Sequence, residues 1–194
     1  MKKWKSSLYI AVALAVSMAA FTGCQSADIQ VSEIELDHQE VESSSGEETT
    51  GFEDYDPLLT GTYEDGDTPE FSGEKLRLTI DGEDVVIAMY DNTAVDAFLE
   101  RLPLEDLSFF DLSGVEKPVE RPEEPFSLGE EAPGYDPVAG EMVIYRPWGN
   151  FTIFYGDFRY SSELVPLGKV ESGIEILAGQ TEDFTGTLEL MENE

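Results

Sequence analysis

Apolar and polar residues alternate on either side of a single break near residue 81. Leu76, Leu78 and Ile80 share one face, Asp81-Gly82 turns the chain, and Val85, Ile87 and Met89 resume the alternation. This pattern predicts a β-hairpin with one buried face. The period then lengthens to that of a helix. Val95, Phe98, Leu99 and Leu102 recur at i, i+3, i+4 and i+7, Asn92 stands where it can cap the first turn, and Pro103 stops the run near residue 102.

"LEDLSFFDLSG" reads as a further strand. Residues 116–140, "EKPVERPEEPFSLGEEAPGYDPVAG", are too rich in Pro and Gly for a regular element and read as a long surface excursion, a kind of segment that often carries function. Three strand-like runs follow, "EMVIYR", "NFTIFY" and "LVPLGKV", the first two joined by Pro147-Trp148-Gly149. Ser172 to Gly179 reads as a short helical turn. "FTGTLEL" is a last strand, with Thr185, Thr187 and Glu189 facing away from Leu188 and Leu190. Many short strands with one main and one short helix predict a mainly β fold, a closed antiparallel β-barrel with the helix capping an open end.

The pattern fails upstream of residue 73. Between Gln25 and Ser72 there are 15 acidic residues, no Lys or Arg, and no sustained period of 2 or 3.6. Such a segment buries too little apolar surface to offset its ordering entropy. Residues 24–72 are therefore read as a disordered acidic linker extended by its own charge, and 73–194 as the folded domain. Asp54 with Asp56 and Asp65 with Asp67 lack the ligand spacing and closing Glu of a calcium loop, so no metal is expected there.

Residues 1–23 begin with Lys2, Lys3 and Lys5 and continue in an apolar run from Leu8 to Phe21, shorter than the roughly 20 residues of a membrane span. That is the layout of a signal peptide. Its end, Phe21-Thr22-Gly23-Cys24, resembles a bacterial lipobox, which implies lipidation of Cys24 and anchoring at the extracytoplasmic face of a bacterial membrane. The whole chain carries 42 acidic against 11 basic residues, a charge of −31 that excludes nucleic acid as a partner. Its one Cys and one His, Cys24 and His38, both precede the predicted domain, which excludes Cys-His and Ser-His catalysis and histidine zinc sites from it. Carboxylate chemistry stays open, because acidic residues are spread along the whole chain. A monomer without a cofactor is expected.

The strand and helix patterns also carry a resemblance. "LVPLGKVESGIEIL" resembles the cyclophilin sequence of apolar strand, Gly-Lys-Val, Gly-containing turn and apolar helix, "NTAVDAFLERLP" resembles the helix after the second strand, and "NFTIFY" stands where cyclophilins place a Gln-Phe-Phe strand. Taken with "SGVEKP" and "YRPWGNFTIFYG", the chain is similar over about residues 74–191 to bacterial cyclophilin-like domains. Cyclophilins proper isomerise prolyl peptide bonds and place an Arg guanidinium near the prolyl amide. Here the corresponding segment, Leu107 to Leu112, has neither His nor Arg. Leu164 replaces a further His, Phe158 or Arg159 falls near the family's Trp, and Asn150-Phe151-Thr152 aligns with Gln-Phe-Phe.

The resemblance implies a groove with Phe109, Tyr145, Trp148, Asn150, Phe151 and Phe154 as its candidate lining. Arg146 is the candidate replacement for the guanidinium, with Arg121 and Arg159 as others. Two roles follow: non-catalytic binding of a peptide or small-molecule ligand, or weak prolyl isomerisation of extracytoplasmic proteins. A third, a structural part of an envelope complex, remains beside them. The anchor is directly testable: cells fed radiolabelled palmitate should label this protein, and Cys24→Ala should abolish the label. Label that persists in the variant refutes the assignment.

Overall fold

The hairpin around Asp81-Gly82 forms the middle of an eight-stranded antiparallel sheet in the computed structural model, which describes residue 52 and residues 54–192. The predicted signal peptide, Cys24, His38 and the first part of the predicted linker lie outside the described residues. In chain order the strands are β1 (Thr62–Tyr63), β2 (Phe71–Ile80), β3 (Glu83–Tyr90), β4 (Leu104–Phe109), β5 (Glu116–Pro118), β6 (Tyr135–Asp136), β7 (Glu141–Tyr145), β8 (Asn150–Phe154), β9 (Leu164–Ser172) and β10 (Phe184–Leu190). The helices are α1 (Thr93–Leu99) and α2 (Ile174–Gly179). Asn92 caps α1 as its position predicts, its side chain accepting from Val95 N at 2.9 Å. Among the described residues no helix is long and apolar enough to cross a membrane.

The large sheet runs β4-β10-β2-β3-β9-β7-β8-β5. Its edges meet where Phe109 bridges Val119, with Phe110 N donating to Pro118 O at 3.2 Å and Glu120 N to Ser108 O at 2.8 Å. The result is a nearly closed barrel, which leaves few unpaired edge groups. Leu76, Leu78, Ile80, Val85, Ile87 and Met89 are all fully buried inside it, the outcome that period-2 alternation demands.

Three segments depart from the pattern of the sequence. Residues 54–72, read as linker, lie against the barrel: Tyr55 OH donates to Val170 O, Gly61 N donates to Glu141 Oε1 at 2.8 Å, and β1 pairs with β6. Gly61 suits this contact because a Cβ there would stand 2.4 Å from Asp136 O. The excursion at 116–140 supplies β5 and β6 and sends Phe126 into the core against Phe98, ring centroids 4.9 Å apart. Pro and Gly rule out long elements but not one anchored side chain. Leu190, in phase with Leu188, is 48% exposed as the last residue of its strand.

Phe151 is the hub of the aromatic core, meeting Phe98, Phe126 and Phe109 at centroid distances of 5.4, 5.5 and 5.9 Å. Phe151→Ala should cost about 3–5 kcal/mol in urea unfolding, the usual range for a buried Phe. Trp148→Ala, at a 40% exposed position, should change stability by no more than about 1 kcal/mol. Equal losses would contradict this division of faces.

Candidate functional site

Four neighbouring strands, β5, β8, β7 and β9, present their outward faces to one groove of about 510 Å³. Strand register decides which side chains reach it. Pro118 lies opposite Thr152, Thr152 opposite Val143, and Val143 opposite Pro166. Tyr145 sits between Asn150 and Leu164, and Glu116 faces Phe154. Asn150, Thr152 and Phe154 therefore form the floor, while Phe151 and Ile153 turn into the barrel.

The Pro147-Trp148-Gly149 turn makes one rim. Trp148 N and Gly149 N both donate to Tyr145 O, at 3.2 and 2.9 Å, and Gly149 adopts a φ of 63° that favours glycine. A Cβ on Gly149 would also stand 2.4 Å from the Cβ of Pro125. The turn leaves the Trp148 ring partly in solvent and edge-on to Tyr145, 5.8 Å between centroids. The opposite rim is Phe158, stacked on Phe154 at 5.0 Å, with the Arg159 guanidinium carbon 5.1 Å from the Phe158 centroid.

The floor is polar where the walls are aromatic. Asn150 is 1% exposed, and its Nδ2 donates to Val119 O at 2.7 Å while its Oδ1 accepts no bond. Thr152 Oγ1 is buried without a partner at hydrogen-bond geometry, yet lies near enough to Glu116 to favour that carboxyl's ionised form. Burial is the stronger influence on Glu116 and pushes its pKa up.

The residues singled out in the sequence divide accordingly. Tyr145, Trp148, Asn150 and Phe154 line the groove. Phe151 does not, because it lies on the inward phase of β8. Nor does Phe109, which is buried in the core and stacks on Phe184 at 5.0 Å. Arg146 is exposed beside the groove, with its Nε donating to Glu163 Oε2 at 2.7 Å. Of the three arginines weighed, Arg159 is the one that lines the groove; Arg121 borders a separate cleft. Glu116 has no place in the sequence reading, and Thr152 enters it only through the Gln-Phe-Phe alignment, yet both line the groove. Pairing β5 with β8 would have shown them, but a three-residue strand inside a Pro-rich segment leaves no readable period.

A second polar centre lies on the same sheet beneath residues 55–61. Glu141 and Lys169 face each other across β7 and β9, both almost wholly buried. Glu141 accepts from Gly61 N and from Tyr90 OH at 3.0 Å, and Lys169 Nζ donates to Ala139 O. Tyr135 OH stands beside Tyr90 and Glu141 without a bond of good geometry. Burial pushes Glu141 up to about 7, against the opposing influence of the Gly61 bond, the Lys169 charge and the Tyr90 bond. Burial likewise lowers the Lys169 pKa, against the pull of Glu141. Among the described residues no group of three or more His, Cys, Asp or Glu is placed to hold a metal ion.

The fold is that of a small, nearly closed antiparallel β-barrel with an aromatic groove on one outer face. The chain matches the model of a cyclophilin-like family over residues 78–189, more than half its length, and it belongs to that family. Among solved structures it is similar to the solution structure of a hypothetical protein from Archaeoglobus fulgidus, with 17% identity and a TM-score of 0.49 over 62% of this chain and 96% of that one. No curated protein matches the chain.

The Glu141 centre predicts a pH dependence of stability. Below pH 4.5 the carboxyl is protonated in both folded and unfolded chains, and its ionisation costs the fold nothing. As pH rises, the unfolded chain loses the proton first. The folded state is then progressively disfavoured until about pH 7, above which the penalty is constant. Glu141→Gln removes that titration while a side-chain oxygen remains to accept from Gly61 and Tyr90. Its stability relative to the parent should rise between pH 5 and 8 by up to roughly 3 kcal/mol. Parallel pH profiles from thermal melts would overturn this.

Proposed function

We propose that this cyclophilin-like domain is a non-catalytic binding module, held by a lipid on Cys24 at the extracytoplasmic face of a bacterial membrane, that takes a peptide or small molecule into the outward groove. The observation that carries the reading is the floor of that groove: buried Asn150 Oδ1 and Thr152 Oγ1 lack partners of hydrogen-bond geometry beneath an aromatic wall. Buried polar atoms are nearly always bonded, and those that are not call for a specific explanation. A ligand that completes them is the simplest one. The half-exposed Trp148 ring offers it apolar contact and an optical reporter.

Weak prolyl isomerisation is the second reading, and Arg159 favours it, since it brings a guanidinium to the groove wall. The reaction lowers a rotation barrier of about 20 kcal/mol, for which cyclophilins use a guanidinium at the prolyl nitrogen. A protease-coupled assay on a prolyl tetrapeptide, at high protein concentration, separates the readings. The binding module predicts no acceleration over background. Acceleration that is lost in Arg159→Ala and kept in Arg146→Ala would establish the isomerase instead.

A further inference from the structure

The polarity of the groove floor narrows the ligand class. Asn150 has its amide orientation set by the bond from Nδ2 to Val119 O, so the group left over is an acceptor. Thr152 Oγ1 can accept as well, and the Glu116 carboxylate accepts only. These three oxygens belong to one outward face: Asn150 and Thr152 are two residues apart on β8, about 7 Å along the strand, and Glu116 is the diagonal neighbour of Thr152 on β5.

Among the described residues no cation pairs with Glu116. Lys117 is paired with Asp111 on the other side of β5, and Arg146 with Glu163. Lys75 and Arg77 belong to Glu171 and Asp84. Arg159 is an exposed rim residue laid on the Phe158 ring. Glu116 therefore faces the groove without an ion-pair partner, and its burial makes its charge costly. The excess of carboxylates over the whole chain draws cations toward every cleft.

From this arrangement we propose that the groove takes an organic cation rich in N–H donors, a primary ammonium or guanidinium on an apolar stem, as in a lysine or arginine side chain. Its charged head donates to Glu116 and Thr152 Oγ1, its stem lies along Phe154, Trp148 and Tyr145, and Asn150 Oδ1 accepts a further N–H along the strand. The inference rests on the reading of the groove as a binding site. The imide nitrogen of a prolyl bond carries no hydrogen, so the bond that an isomerase turns cannot itself donate to these acceptors.

The test is an NMR titration of the isotope-labelled full chain with 4-phenylbutylamine, 4-phenylbutanol, 4-phenylbutyrate and a prolyl tetrapeptide, following the Trp148 indole and the β8 amides. The amine should bind at least about 10-fold more tightly than the alcohol and more tightly still than the carboxylate. Glu116→Gln should remove that advantage and leave the alcohol unchanged. Should that variant unfold, Thr152→Val removes the neighbouring acceptor and should weaken the amine more than the alcohol. Equal binding of amine and alcohol, or an amine affinity indifferent to these substitutions in folded protein, overturns the cation assignment while the groove stands. If no probe shifts the groove signals at millimolar concentration, the binding-site reading falls with it.

Discussion

The split of one strand between two environments governs the rest of the molecule. Strand β8 is bonded on both sides, to β5 and to β7, and all five of its residues are buried. Because successive side chains on a strand point to opposite faces, Phe151 and Ile153 build the core and Asn150, Thr152 and Phe154 build the groove. A slip of one residue would put an amide and a hydroxyl into the aromatic core and two large hydrophobic residues in the groove. The aromatic hub around Phe151 thus sets the geometry of the polar floor behind it.

Three polar groups are buried on inward or covered positions, and their treatment differs from that of the floor. Lys117 escapes the interior by reaching Asp111 at 2.6 Å, and the Lys117 bond and then the Tyr155 bond hold that carboxyl below its usual range. Glu141 and Lys169 are covered by residues 55–61 and given hydrogen bonds by backbone and Tyr90. Among the described residues, the buried side-chain oxygens of the groove floor, Asn150 Oδ1 and Thr152 Oγ1, stand on one outward face without partners of hydrogen-bond geometry, whereas the Glu141 carboxylate is bonded.

The family resemblance implies a guanidinium above a prolyl amide. In this chain two basic side chains next to the groove strands are committed elsewhere: Arg146 to Glu163, Lys117 to Asp111. Arg159 remains on the rim. The groove floor itself carries acceptors, the reverse of a guanidinium's polarity. Membership of a family with this fold therefore leaves the chemistry to the side chains on that face.

The hairpin around Asp81, the capped helix, the run of late strands and the barrel they make were all legible in the chain, because each rests on a local period and a local turn or cap. The groove's Tyr145, Trp148, Asn150 and Phe154 were legible as a cluster, since one hairpin holds them within ten residues. Their faces were not, because the period fixes alternation but not which phase looks inward. That was decided by what packs against each phase, Phe98 and Phe126 on one side and the groove walls with Tyr145 and Phe158 on the other. Glu116, the strand that carries it, and the docking of residues 54–72 depended on partners far along the chain. Such contacts leave no local pattern, and only the tertiary structure brings them together.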